Sequence, residues 1–300
     1  APHCRRRHGP STPEPRILAM KQASREILLL DNGSRRPQST LALRALAAKL
    51  AERLRQPVQP VSLAHSDRVP ADKLNGEPAA ILEPWLRSRQ SFGGQRFLVL
   101  PLFFGPSGAL TEAIPAMLAR LGEEGGPLDL RLAATLCPLP QGEPRLTAIL
   151  LDQIARATGE TGIRPERLVL VDHGSPSPLV NAARRWVAAD LRARLGTGVR
   201  IEEAAMERRP GAQYDFNGEL LLEVLRRQAQ EDQGRPLLVV PLFLFAGRHA
   251  GPGGDLAEIA ATVKAEYPGF QFQLTGLVGD HPGVVDILVS RHAEAQGEAA

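Results

Sequence analysis

The chain has 300 residues, enough for two domains of ordinary size, and 43% of them are hydrophobic, enough for two compact cores. Its formal charge of +3 lies largely in the first nineteen residues, which hold four arginines and one glutamate; the balanced remainder argues against a nucleic-acid partner. No apolar run approaches the ~18–20 residues that span a bilayer. Two distant cysteines, Cys4 and Cys137, make neither a disulfide framework nor a cysteine-based zinc site, so a reducing cytoplasm is the expected compartment.

Residues 1–25 read as a disordered basic tail. Their arginines precede no apolar stretch of the kind a secretory signal carries, and Met20 is a candidate natural start. From residue 26 onward the chain repeats itself. Glu26–Ile27–Leu28–Leu29–Leu30–Asp31–Asn32–Gly33–Ser34 matches Arg167–Leu168–Val169–Leu170–Val171–Asp172–His173–Gly174–Ser175 at an offset of 141. Phe97–Leu98–Val99–Leu100–Pro101–Leu102–Phe103 matches Leu237 to Phe243 at 140, and Asn75–Gly76–Glu77 matches Asn217–Gly218–Glu219 at 142. Cys137–Pro138 matches His281–Pro282 at 144. Near-constant offsets in the same order indicate a tandem duplication.

The second copy reads in chain order as a strand at 167–172 and a helix at 177–195 with Val180, Ala183, Val187 and Leu191 on one face. A strand near 199–205, a helix near 217–231 and a strand near 236–243 follow. A helix near 254–266, a strand near 270–275 and a helix near 283–294 complete it. The first copy follows the same order. Strands apolar on both faces, alternating with helices, predict small parallel sheets flanked by helices. The expected organisation is α/β: two tandem homologous doubly wound domains at 26–157 and 166–300, joined by a linker at 158–165 that contains Gly159, Gly162 and Pro165, with a cleft between them.

Ligands of such sheets bind outside the carboxyl ends of the strands. In the second copy His173 follows the first strand, Glu207 the second and His249 the third. Two imidazoles and a carboxylate suit a borderline divalent metal such as cobalt, iron or nickel. The plainer alternatives are a strand-to-helix turn capped by Ser175, a surface ion pair between Glu207 and its neighbours Arg208 and Arg209, and an ordinary loop at 251–254. His65, His281 and His292 read as structural histidines. Gly251–Pro252–Gly253–Gly254 lacks the Lys and Ser/Thr of a phosphate-binding loop, so no nucleotide is expected, and Asp172–His173–Gly174–Ser175 lacks the elbow of a serine hydrolase.

These residues resemble the sirohydrochlorin chelatases, the class II chelatases of the cobalamin and sirohaem pathways. The likeness rests on His173–Gly174–Ser175 after the first strand, Glu207 after the second, and Pro241–Leu242–Phe243–Leu244 leading to His249. His281–Pro282 stands before the last helix. The resemblance covers residues 26–295. It implies ATP-independent insertion of Co²⁺, Fe²⁺ or Ni²⁺ into sirohydrochlorin or a related reduced tetrapyrrole, with His173, Glu207 and His249 as ligands and bases. Ser175, Arg208, Arg209, Arg248 and the amides of Gly251, Gly253 and Gly254 are then candidates for the substrate's carboxylates. The first copy has Asn32, Asp67 and Ala109 at the three ligand places and is expected to form the non-catalytic wall. Two rivals remain at this point: a non-catalytic protein that binds and delivers a metal or tetrapyrrole, and an unrelated phosphate-handling α/β enzyme.

Overall fold

A computed structural model describes residues 25–90, 95–161 and 166–297. Residues 1–24 of the expected tail therefore fall outside the described residues, as do 162–165 of the expected linker; Arg25, by contrast, pairs with Asp129 at 2.7 Å. Among the described residues eight strands and eight α-helices alternate: β1 (Glu26–Asp31), α1 (Pro37–Leu54), β2 (Val58–Ser62), α2 (Leu82–Gln90), β3 (Arg96–Pro101), α3 (Ile114–Gly125), β4 (Asp129–Leu132) and α4 (Pro144–Thr161) in the first half. The second half holds β5 (Arg167–Asp172), α5 (Pro178–Leu195), β6 (Arg200–Ala205), α6 (Leu221–Glu231), β7 (Leu237–Pro241), α7 (Asp255–Glu266), β8 (Phe272–Leu274) and α8 (Gly283–Gln296).

Each half forms one four-stranded, wholly parallel sheet, in the orders β2-β1-β3-β4 and β6-β5-β7-β8. β1 and β5 are central and lie in register with their neighbours, Leu168 facing both Ile201 and Leu238. Five of six residues of β1 and all six of β5 are buried. Continuous burial is why these strands are apolar on both faces rather than alternating. Two elements differ from the sequence expectation. α4 continues to Thr161, past the expected start of the linker at 158, and so takes Gly159 into the helix. α6 begins at Leu221 rather than near 217, because Ala212–Asn217 form a separate 3-10 turn and Gly218 adopts φ 78°.

The halves are joined by exchange of helices. The last helix of the second half, α8, packs on α1 and β3 of the first. The last helix of the first half, α4, packs on α5 and β7 of the second, and α4 and α8 touch each other. One apolar core runs through this middle layer, from Leu29 and Leu50 through Leu146 and Ile287 to Val187 and Leu238. Smaller clusters lie under the outer helices, α2 and α3 on one side and α6 and α7 on the other. Polar contacts fasten the exchange. Buried Arg291 of α8 donates to the Thr135 and Leu136 carbonyls and to the Glu143 carboxylate at 2.7 Å, and Arg145 of α4 donates to Ser290 Oγ at 2.6 Å. Close approach is set by glycines: a Cβ on Gly105 would lie 3.1 Å from the Val180 Cα, and one on Gly247 would lie 3.1 Å from Ser39 Oγ.

Candidate metal-binding site

The loops after β5, β6 and β7 meet at the carboxyl edge of the second sheet. The Glu207 N–H donates to the His173 carbonyl at 3.1 Å, and the Met206 N–H to the Asp172 carbonyl at 2.8 Å, so the first two loops are zipped together. Gly174 permits this. It holds φ +87°, and a Cβ there would stand 1.9 Å from the Glu207 carbonyl oxygen. The loop after β7 brings His249 to the same place. Its Nε2 lies 2.8 Å from His173 Nε2, and Glu207 Oε1 lies 3.3 Å from His173 Nε2. The three side chains singled out in the sequence thus converge, half-buried for the rings and exposed for the carboxylate.

Metal bonds of about 2.0–2.1 Å to nitrogen and oxygen set ligands of a tetrahedral ion roughly 3.3–3.4 Å apart. The His173–Glu207 separation already matches. The two imidazoles are closer than that, because they hydrogen-bond to each other, which requires one proton between the two nitrogens. Accordingly, no set of three His, Cys, Asp or Glu groups among the described residues is already spaced around an ion. A separation of about 0.5 Å between the rings, with loss of that proton, opens the position. Burial, and then the electrostatic influence of the adjacent His173 ring, hold the His249 imidazole below its ordinary pKa, which favours its neutral form.

Beneath His173 lies a buried polar network that sequence reading did not find. Arg184 of α5 donates to Asp172 Oδ1 at 2.6 Å, to the Ala204 carbonyl at 2.9 Å and to the Asn217 carbonyl at 2.8 Å. Asn217, fully buried, accepts from the Ser175 N–H at 3.0 Å and donates to the Ser175 carbonyl at 2.9 Å. Burial pushes the Asp172 carboxyl up, and Arg184 opposes it. At the 141-residue offset the first half keeps Asp31 but has Leu43 where Arg184 stands. The only trace of the network in the sequence is the Asn–Gly–Glu match between the copies.

His173, Ser175, Glu207, Arg208 and Arg209 line an open cavity of about 450 Å³. Ser175 Oγ accepts from the Ser177 N–H at 3.0 Å and so caps the turn into α5. Arg208 is held to the Gly218 carbonyl and to Asp215, and Arg209 lies over the Tyr214 ring; both remain exposed. Arg248 is exposed on the His249 loop and is not part of the cavity wall. The expectation that the amides of Gly251 and Gly254 receive substrate carboxylates is corrected. Both residues are buried, and their N–H groups donate within the loop, to the Gly247 and Gly251 carbonyls. Gly253 is exposed, with φ +64°.

His281 does not join the site. Its Nδ1 accepts from the Gly283 N–H and its Nε2 pairs with Asp152 of α4 at 2.9 Å, beside a separate cavity of about 540 Å³ that lacks a second imidazole. His292 is buried in α8, and His65 is exposed with φ 70°. In the first half Asn32 and Asp67 are exposed, and Ala109 opens a single π-helical turn that runs directly into α3. No loop there corresponds to 247–254.

Two parallel four-stranded sheets around a layer of exchanged helices define the class: a tandem chelatase-like α/β protein. SirB from Bacillus subtilis with Fe³⁺ superimposes with a TM-score of 0.65 at 18% identity, over 90% of this chain and 95% of that one. SirB from Bacillus subtilis subspecies spizizenii, a sirohydrochlorin chelatase in complex with cobalt, gives 0.64 at 18%, over 90% and 94%. CbiX, the terminal enzyme of sirohaem biosynthesis in denitrifying bacteria, gives 0.56 at 21%, over 90% and 99%. No curated protein matches by sequence. The family model CbiX matches residues 167–295, the half that carries both imidazoles.

Proposed function

We propose that the chain inserts a divalent metal, cobalt or iron, into sirohydrochlorin or a related reduced tetrapyrrole without a nucleotide. The observation that carries this reading is the meeting of His173, His249 and Glu207 at one sheet edge, with ring nitrogens 2.8 Å apart and the carboxylate 3.3 Å from His173. The metal is substrate here. The imidazoles bind it by neutral nitrogens and strip part of its hydration. Insertion exchanges one divalent cation for two pyrrole N–H protons, and the same imidazoles together with Glu207 accept them as the metal leaves for the macrocycle. The exposed guanidinium groups of Arg208 and Arg209 on the cavity wall suit the macrocycle's peripheral carboxylates. Three ligands, of which His173 and Glu207 line the open cavity, suit a metal that enters and leaves rather than a closed four-ligand structural ion. The first half serves as scaffold and wall. No helix among the described residues is long and apolar enough to cross a membrane.

The test is an anaerobic insertion assay with sirohydrochlorin and Co²⁺, Fe²⁺ or Ni²⁺ in turn, followed by the absorbance change of the macrocycle. Catalytic turnover supports the reading and ranks the metals. Stoichiometric binding without turnover replaces it by the delivery protein, and no binding of metal or tetrapyrrole removes both.

A further inference from the structure

We propose that Asp255 is the positioning residue for His249, and that the glycines of the 247–254 loop serve to fold the loop so that this carboxylate reaches the ring. The inference rests on His249 being a metal ligand, as proposed above. Asp255 is the first residue of α7, six positions beyond His249, and its Oδ2 lies 2.5 Å from His249 Nδ1. A carboxylate accepts, so Nδ1 carries the hydrogen and Nε2 presents its lone pair. That lone pair faces His173 Nε2 at 2.8 Å. An imidazole that binds metal through Nε2 needs this tautomer and this orientation, and a carboxylate on the far nitrogen supplies both while making the ligating nitrogen more basic.

The backbone of the loop is wound to the same end. The Gly251 N–H donates to the Gly247 carbonyl at 3.0 Å, the Gly254 N–H to the Gly251 carbonyl at 2.9 Å, and the Leu256 N–H to the His249 carbonyl at 2.9 Å. Side chains would prevent the winding. A Cβ on Gly251 would stand 2.6 Å from the Gly247 carbonyl oxygen, and one on Gly254 would stand 2.4 Å from that of Arg248 and 2.9 Å from that of His249. The glycine run therefore exists for loop closure, and its buried amides are already used. His173 is held differently. Its Nδ1 reaches only the neighbouring Gly174 carbonyl, at 3.1 Å, and its side chain is 43% exposed against 23% for His249. His249 is the fixed member of the pair, and His173 is the one that yields when an ion enters.

The experiment titrates the metal-free full chain with Co²⁺ alone, without tetrapyrrole, for the wild type and for Asp255→Ala, Asp255→Asn and His249→Ala. Imidazole ¹⁵N NMR reports the His249 tautomer, and circular dichroism reports folding. Asp255→Ala is expected to weaken Co²⁺ binding by roughly 10- to 100-fold and to leave the ring in mixed tautomers. Asp255→Asn, whose amide oxygen still accepts from Nδ1–H, is expected to lose several-fold less. Wild-type affinity in Asp255→Ala, while His249→Ala loses binding, overturns the positioning role and leaves the metal site standing. Wild-type affinity in His249→Ala overturns the metal site itself. If Asp255→Ala does not fold, Asp255→Asn and Asp255→Leu, the latter unable to accept from Nδ1–H, decide: weaker Co²⁺ binding with a mixed tautomer in the folded Asp255→Leu supports the inference, and wild-type affinity and tautomer there overturn it.

Discussion

Replacing Asp31 by asparagine should stabilise the protein at neutral pH and do little in acid. Asp31 ends β1 and is buried, and its Oδ1 has no hydrogen-bond partner. Its counterpart Asp172 is met by Arg184, whereas Leu43 stands at the corresponding place in the first half. Burial raises the Asp31 carboxyl to about 6 from 3.8, against the lowering effect of its bonds to Ser62 and the Gly33 N–H. The folded state therefore holds the proton more tightly than the unfolded chain. The group's favourable contribution is complete below about pH 4 and is lost as pH rises through 6. A shift of about two pKa units corresponds to roughly 3 kcal/mol of penalty at pH 7. Asparagine keeps the shape and the acceptor for Gly33 but carries no charge, so Asp31→Asn should gain about 1–3 kcal/mol at pH 7. Denaturant unfolding of both proteins between pH 4 and 7.5 reads the difference directly, since groups common to both cancel. The gain should shrink towards zero as pH falls to 4. A difference that stays flat with pH, or a variant less stable at pH 7, refutes the reasoning.

His173→Ala and His249→Ala should each slow insertion by at least ~100-fold in folded protein, while Asn32→Ala stays within about twofold of wild type; equal losses in all three would place the chemistry elsewhere. Arg184→Leu, which copies the first half, strands the buried Asp172 carboxylate and two carbonyls and should cost about 3–5 kcal/mol in chemical denaturation. A loss below about 1 kcal/mol would show that the network does not hold the loop. Gly174→Ala combines a positive φ with collision against the Glu207 carbonyl, so a loss of at least about 2 kcal/mol together with weaker Co²⁺ binding is expected, and calorimetry measures both.

The strands were legible because burial on both faces leaves an unbroken apolar run such as Leu168–Val171, and a run of that kind has few other uses. His173, Glu207 and His249 were legible because parallel topology sends every post-strand loop to one edge. Asp255 was not. It is one of 33 acidic residues, and only the winding of the loop turns it back onto a ring six positions earlier. The glycines between them were a visible sign, but they suggested an anion cradle until their amides were found occupied. Asn217 was visible only as a marker of repetition, since its two bonds to Ser175 span 42 residues of sequence. The destination of α4 and α8 was hidden for a different reason. An amphipathic helix shows that it covers a sheet, not whose sheet it covers.

That destination governs how the chain can be divided. A cut between α4 and β5 looks like a clean boundary, yet the upstream piece would keep a helix shaped for the other sheet and would lack the one that closes its own. The downstream piece would be left in the mirror-image predicament, with Arg291 deprived of the Glu143 carboxylate. Neither fragment should therefore fold on its own, and the two made separately should be recovered only as a mutually completed pair. The interlock also gives the half without His173 and His249 a structural use: it contributes a sheet for α8 to cover and a helix for the other half, and neither depends on Asn32, Asp67 or Ala109.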